Sequence, residues 1–127
     1  MSKIVLDASA ILAVIAQEPG ADLILAHIGS TVASTVNLAE AQSKLVHDGA
    51  PKDDAWEDIL TVVQEVISFD AEQAKLAGAL RTQTRSLGLS LGDRACLALA
   101  ISIGAPVYTA DRIWKKLRLG IPIHVIR

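Results

Sequence analysis

The chain has 127 residues, of which 51% are apolar, but its only aromatics are Trp56, Phe69, Tyr108 and Trp114. That is enough for one domain, residues 1–127, with a core of Leu, Val, Ile and Ala. Its apolar runs fall well short of the roughly 20 residues that cross a bilayer, and it has no basic, then apolar, leader, so a cytoplasmic protein without a membrane partner is expected. The net charge of −2 conceals an asymmetry: residues 1–64 carry three Lys/Arg against nine Asp/Glu, and residues 65–127 carry nine against five. A near-neutral chain can thus present one basic face.

In chain order, Ile4-Val5-Leu6 reads as a short buried strand ended by Asp7. Ala8 to Gln17 is Ala- and Leu-rich and reads as a helix stopped by Pro19-Gly20. A second helix is predicted over Ala21–Ile28, then a strand over Thr31–Ala33. Residues 36–48 read as a helix, as do 52–64, where Trp56, Ile59, Leu60 and Val63 recur at helical spacing. Val66–Phe69 reads as a strand. Asp70 caps a predicted long helix through Ser86, closed by Gly88. Ser90 opens a helix to Ile103, with Gly104 at its end. A strand over Val107–Thr109, a short helix over Asp111–Leu117 and a last strand over Ile121–Ile126 complete the pattern. Strands alternating with helices predict an α/β fold of three layers, α/β/α, around a central, mostly parallel sheet of about five strands.

Four acids fall where a strand gives way to a helix: Asp7, Glu40, Asp93 and Asp111. In such sheets the carboxyl ends of the strands share one edge, where ligands bind. Each acid has an ordinary reading as a helix cap. Asn37 to Glu40 and Ser90 to Asp93 have capping-box spacing, and Asp111 suits a first turn. Four carboxylates meeting at one edge would repel one another, and a divalent cation is the simplest remedy. Ser9 beside Asp7 and Thr109 beside Asp111 supply hydroxyls that suit the outer shell of Mg²⁺ or Mn²⁺. Asn37 lies three residues before Glu40 and can share its helix face. His27, His47 and His124 lie away from the acids. Cys96 sits in an apolar helical run, and no Cys/His cluster suggests zinc.

With these motifs in hand, the chain resembles the PIN-domain family, specifically the VapC-type toxin ribonucleases of VapBC toxin–antitoxin pairs. The resemblance rests on Asp7-Ala8-Ser9, on Asn37-Leu38-Ala39-Glu40, on the stretch from Leu89 through Asp93 to Ala100, and on Thr109-Ala110-Asp111. It spans essentially the whole chain. It implies a central first strand, with Asp7, Glu40, Asp93 and Asp111 as catalytic acids and ligands of Mg²⁺ or Mn²⁺, and with Ser9, Asn37 and Thr109 behind them. It also implies an RNA substrate cut to 5′-phosphate and 3′-hydroxyl ends, a cognate VapB-like antitoxin, and a homodimer. Arg94 stands where many relatives have a small residue. Arg94 and Arg112 directly follow acids, and Arg81 and Arg85 are four apart on one predicted helix, so all four are candidate phosphate contacts. Two other readings use the same residues: a receiver-like or phosphoryl-transfer α/β domain, and an inactive interaction domain whose acids are only caps. Against the first, Asp7 has no acidic neighbour after its strand, and Lys115 falls on a helix.

Overall fold

All three residues of β1 (Ile4–Leu6) are buried, because β1 is the middle strand of five. In the computed structural model, which describes residues 2–127, β2 (Thr31–Ser34), β3 (Glu65–Ile67), β4 (Val107–Thr109) and β5 (Ile123–Val125) complete one sheet in the order β3-β2-β1-β4-β5. Every pairing is parallel. The alternation of side chains along a strand divides the core into two halves. Ile4, Leu6 and Ala33 join α1 (Ala8–Ile15), α3 (Thr35–His47) and α4 (Lys52–Val62) on one face. Val5, Val32 and Val107 face α7 (Leu91–Ile103), backed by α5 (Ala71–Ala79) and by Trp114. The remaining α-helices are α2 (Ala21–Leu25) and α6 (Arg81–Thr84).

The chain leaves β1 toward β2 and β3, then returns through α5, α6 and α7 to place β4 on the other side of β1. The strand order therefore reverses between β1 and β4. In open α/β sheets the crevice beyond the strand ends at such a point is where ligands bind. Asp7 stands at the end of β1, and Thr109 ends β4.

The predicted elements hold in type, with four adjustments. The helix expected to run from Asp70 to Ser86 breaks at Leu80 into α5, α6 and a 3₁₀ turn over Arg85–Leu87. The Thr84 hydroxyl donates to the Leu80 carbonyl at 2.8 Å, a side-chain bond that bends helices. The second helix is α2 alone, followed by a 3₁₀ turn over Ile28–Ser30. The short helix after β4 is a 3₁₀ turn over Arg112–Lys116; so brief a connection suits the tighter winding. Finally, Ser34 and not Asn37 caps α3, its hydroxyl accepting from the Val36 N–H at 3.2 Å. Asn37 is the third residue of that helix.

Candidate active site

Asp7 ends a buried strand and caps α1, so its carboxylate is fixed by the fold before any ligand is considered. One oxygen accepts from the Ala10 N–H and the Ser9 hydroxyl, both at 2.8 Å. The other accepts from the Thr109 hydroxyl at 2.6 Å. Thr109 Oγ1 also accepts from the Asp111 N–H at 3.1 Å, and Ser9 Oγ from the Ala110 N–H at 2.9 Å. The ends of β1 and β4 are thus joined through side chains. Asp7 is only 4% exposed. Burial drives its pKa up to about 6 against the lowering by these hydrogen bonds, and Asp93 raises it further. Burial winning over three hydrogen bonds marks a carboxylate held in a dry, charged pocket.

Glu40 arrives from α3. Its carboxylate is gripped by Asn37, whose amide donates to Glu40 Oε1 at 2.9 Å and to the Gly92 carbonyl at 3.0 Å. The two N–H donors of an amide NH₂ allow it to bridge two acceptors. Asn37 is itself 1% exposed. The same carboxylate lies against Gly92 so closely that a Cβ there would overlap it. Burial raises the Glu40 pKa, the Asn37 bond opposes this, and Asp93 raises it again. Beneath these groups, burial, then Asp7, Asp93 and Glu40, push the Cys96 thiol up. Asp7, Glu40 and Asp93 therefore share one electrostatic neighbourhood, over the first turns of α7. Asp111 contributes to none of these shifts.

Asp93 and Asp111 retain the capping roles that the sequence also allowed. Ser90 and Asp93 form a reciprocal box: Asp93 Oδ2 accepts from the Ser90 N–H at 2.9 Å, and Ser90 Oγ accepts from the Asp93 N–H at 3.2 Å. Asp111 Oδ1 accepts from the Ile113 N–H at 3.0 Å and is exposed. The four acids are not drawn into one ready cluster. No group of three or more His, Cys, Asp or Glu among the described residues is drawn closely enough to hold a metal ion, and Asp93 and Asp111 are bent back onto backbone N–H groups. The donor chemistry nevertheless fits a hard divalent cation. Asp7, Glu40 and Asp93 offer carboxylate oxygens, and the upward push of Asp93 on the other two is a repulsion that positive charge would relieve.

The arginines divide. Arg94, expected at the rim, donates from its guanidinium to the Ala77 carbonyl at 2.9 Å, packs between α5 and α7, and makes no ion pair among the described residues. It is half-buried, and its position fits helix packing better than phosphate contact. Arg81 and Arg85 are exposed but lie on α6 and the following 3₁₀ turn, so they do not share one continuous helix face. Arg112 is exposed beside Asp111. With Ser9, Ala110, Asp111 and Arg127 it lines a cleft of about 560 Å³. Arg127 is a cation the sequence reading did not select. It lies 16 residues from the nearest acid motif, and only the β4–β5 pairing brings it close.

The PIN domain family model matches residues 4–119. Solved structures of similar fold include a DNA-bound VapBC from Salmonella typhimurium, 20% identical over 100% of both chains with a TM-score of 0.77. A toxin–antitoxin complex from Klebsiella pneumoniae is 17% identical over 98% of each chain, with a TM-score of 0.76. A sarcin–ricin-loop-cleaving VapC toxin from Mycobacterium tuberculosis is 20% identical over 87% of this chain and 91% of that one, with a TM-score of 0.71. No curated protein matches the chain.

Proposed function

The chain belongs to the PIN-domain family, and from that premise we propose that it is a metal-dependent endoribonuclease, the toxin of a type II toxin–antitoxin pair. The observation that carries this reading is the buried Asp7 carboxylate, held at the end of β1 by Ser9, the Ala10 N–H and Thr109, within electrostatic reach of Asp93, which also acts on Glu40. Three acids that repel one another are a poor choice for caps alone.

Asp7, Glu40 and Asp93 would hold Mg²⁺ or Mn²⁺, with Asp111 beside them. The bound cation would supply Lewis acidity toward the phosphodiester and a lowered pKa for the attacking water, and no histidine base is then required. The protein's part is orientation. Ser9, Thr109 and the Ala10 N–H fix Asp7; Asn37 fixes Glu40 and ties it to the start of α7. Asp93 must leave the Ser90 N–H to turn inward, and the other half of the box, Ser90 Oγ to the Asp93 N–H, still caps the helix. The expected products carry a 5′-phosphate and a 3′-hydroxyl.

A cognate VapB-like antitoxin follows from the same reading, as does a homodimer. The α4 stripe predicted from sequence divides: Ile59 and Val63 are buried, whereas Trp56 and Leu60 remain 41% and 45% exposed. The exposed pair is an apolar surface available to a second chain. No helix of the described residues is long and apolar enough to cross a membrane, and cytoplasmic action on RNA is part of the proposal.

The test is cleavage of RNA by the purified protein with Mg²⁺ or Mn²⁺, with end-group analysis of the products. Asp7→Asn, Glu40→Gln and Asp93→Asn should each remove most activity and leave the fold intact, and Asp111→Asn should be milder. Cleavage that persists in excess EDTA, or products ending in a 2′,3′-cyclic phosphate, would refute it. Light scattering, with and without a co-expressed antitoxin, tests the partners.

A further inference from the structure

We propose that Arg127, together with Arg112, forms the phosphate-binding wall of the site, in a cleft that opens beside Asp7 and Asp111. This rests on the ribonuclease reading and names the path its substrate takes.

The cleft of about 560 Å³ is lined by Ser9, Ala110, Asp111, Arg112 and Arg127. Its hydroxyl wall is continuous with the acids, since Ser9 Oγ donates to Asp7. Arg112 makes no ion pair among the described residues. Arg127 pairs with Glu18, and both side chains are partly open to water, at 45% and 36% exposure. Pairs of this kind contribute little, so a phosphate can replace Glu18 as the partner of Arg127. A second cleft, of about 280 Å³, shares Ser9 and Arg127 with the first and extends past Leu12 and Ile15 to Lys44, with Glu18 and Asp48, the partners of Arg127 and Lys44, also in its lining. Lys44 is likewise in an exposed pair, with Asp48 at 3.3 Å. The cations at Arg112, Arg127 and Lys44 therefore follow one groove that passes Ser9, with aliphatic walls between them. Cations that can exchange Glu18 and Asp48 for phosphate suit the backbone of a single strand, and with no aromatic platform in the groove the contacts are to phosphate rather than to stacked bases.

The position of Arg127 is built into the fold. The Ile126 N–H donates to the Thr109 carbonyl at 2.9 Å, so the residue that holds Asp7 through its hydroxyl holds Ile126 through its main chain. Ile126 is buried in the core. Gly20, at φ 95°, lies against the Ile126 carbonyl where no Cβ could fit. The backbone leading into Arg127 is clamped from both sides, and its side chain is aimed from a fixed base.

The experiment uses the cleavage-blocked Asp7→Asn protein with Mg²⁺ and a fluorescein-labelled single-stranded oligoribonucleotide of mixed sequence, with affinity measured against salt. Adding Arg127→Ala or Arg112→Ala should each weaken binding and reduce the log–log salt slope by about 0.7, the value for one contact to a single strand. Arg127→Lys should keep the slope, because the charge remains. Glu18→Gln should leave binding intact or tighten it, because it frees Arg127. An unchanged slope in both alanine variants, with RNA still bound, would overturn the proposal while leaving the ribonuclease reading in place. So would Glu18→Gln weakening binding as much as Arg127→Ala, since Arg127 would then act only through its pair. Unchanged RNA binding with loss of a co-expressed protein partner would assign the groove to a protein instead. Failure of the unmodified protein to cleave RNA in any metal would bring down the ribonuclease reading itself.

Discussion

The Glu40 carboxylate occupies the space into which a Cβ on Gly92 would project. Glu40 is on α3 and Gly92 is the second residue of α7, so the acid's position depends on a missing side chain 52 positions away. Gly92→Ala puts stability and function in opposition. Alanine is a better helix former than glycine by up to about 1 kcal/mol, and the obstructing group is the end of a flexible side chain that can swing aside. The melting temperature should hold or rise slightly, while activity falls toward that of Glu40→Gln. Paired melting curves and cleavage rates decide it; wild-type rates in Gly92→Ala would show that the placement of Glu40 is dispensable.

This contact was not legible in the sequence, although Glu40 was. Asp7 and Asp111 could be selected because they follow the apolar runs of β1 and β4, whereas Glu40, the sixth residue of α3, and Asp93, the third of α7, lie inside helices and not at the strand ends where they were expected; the sheet follows from short apolar runs between helical ones. What the acids do once there depends on tertiary packing. Asn37 has the spacing of a cap but bridges Glu40 to the Gly92 carbonyl. Arg94 has the position of a phosphate contact but turns to Ala77. Arg127 carried no local signal, because strand pairing alone puts it beside Ser9. The break at Leu80 coincides with a threonine hydroxyl bonded to the Leu80 carbonyl, a contact that a propensity count cannot see.

Ser90 and Asp93 separate capping from catalysis. Ser90→Ala removes the acceptor for the Asp93 N–H and should cost about 1 kcal/mol of stability, while sparing the Asp93 carboxylate. Asp93→Asn keeps an acceptor for the Ser90 N–H and removes the charge. Cleavage should survive the first substitution and be mostly lost in the second. The reverse order, measured with urea melts alongside, would make Asp93 a cap and nothing more.

Arg94 provides a contrast with Arg127. Its bond to the Ala77 carbonyl joins α7 to α5, and its Nε is buried without a partner among the described residues. Arg94→Met removes a charge-assisted bond and keeps an unbranched stem, for a cost of about 1–2 kcal/mol. The salt dependence of RNA binding should not change. A fall in slope at unchanged stability would return Arg94 to the substrate path.

The burial of Asp7 makes the protein's stability depend on pH in a predictable direction. Folded Asp7 holds its proton to about pH 6, while the ordinary value is 3.8. Between those values the folded chain binds more protons than the unfolded one, so stability falls as pH rises through the window. The loss is on the order of 3 kcal/mol and is complete above about pH 6. Asp7→Asn removes the ionisation. It should match the wild type near about pH 4 and exceed it near about pH 7, and the difference isolates Asp7 because the other titrating groups are common to both proteins. A cation that binds the ionised carboxylate stabilises the folded state by mass action. Mg²⁺ should therefore narrow the gap at neutral pH by raising the wild type, with little effect near about pH 4 where Asp7 is protonated. Urea denaturation of both proteins across this range, with and without Mg²⁺, measures each part. A pH-independent difference would mean that Asp7 ionises in the folded protein without cost, and a Mg²⁺ effect of equal size in Asp7→Asn would place the cation elsewhere.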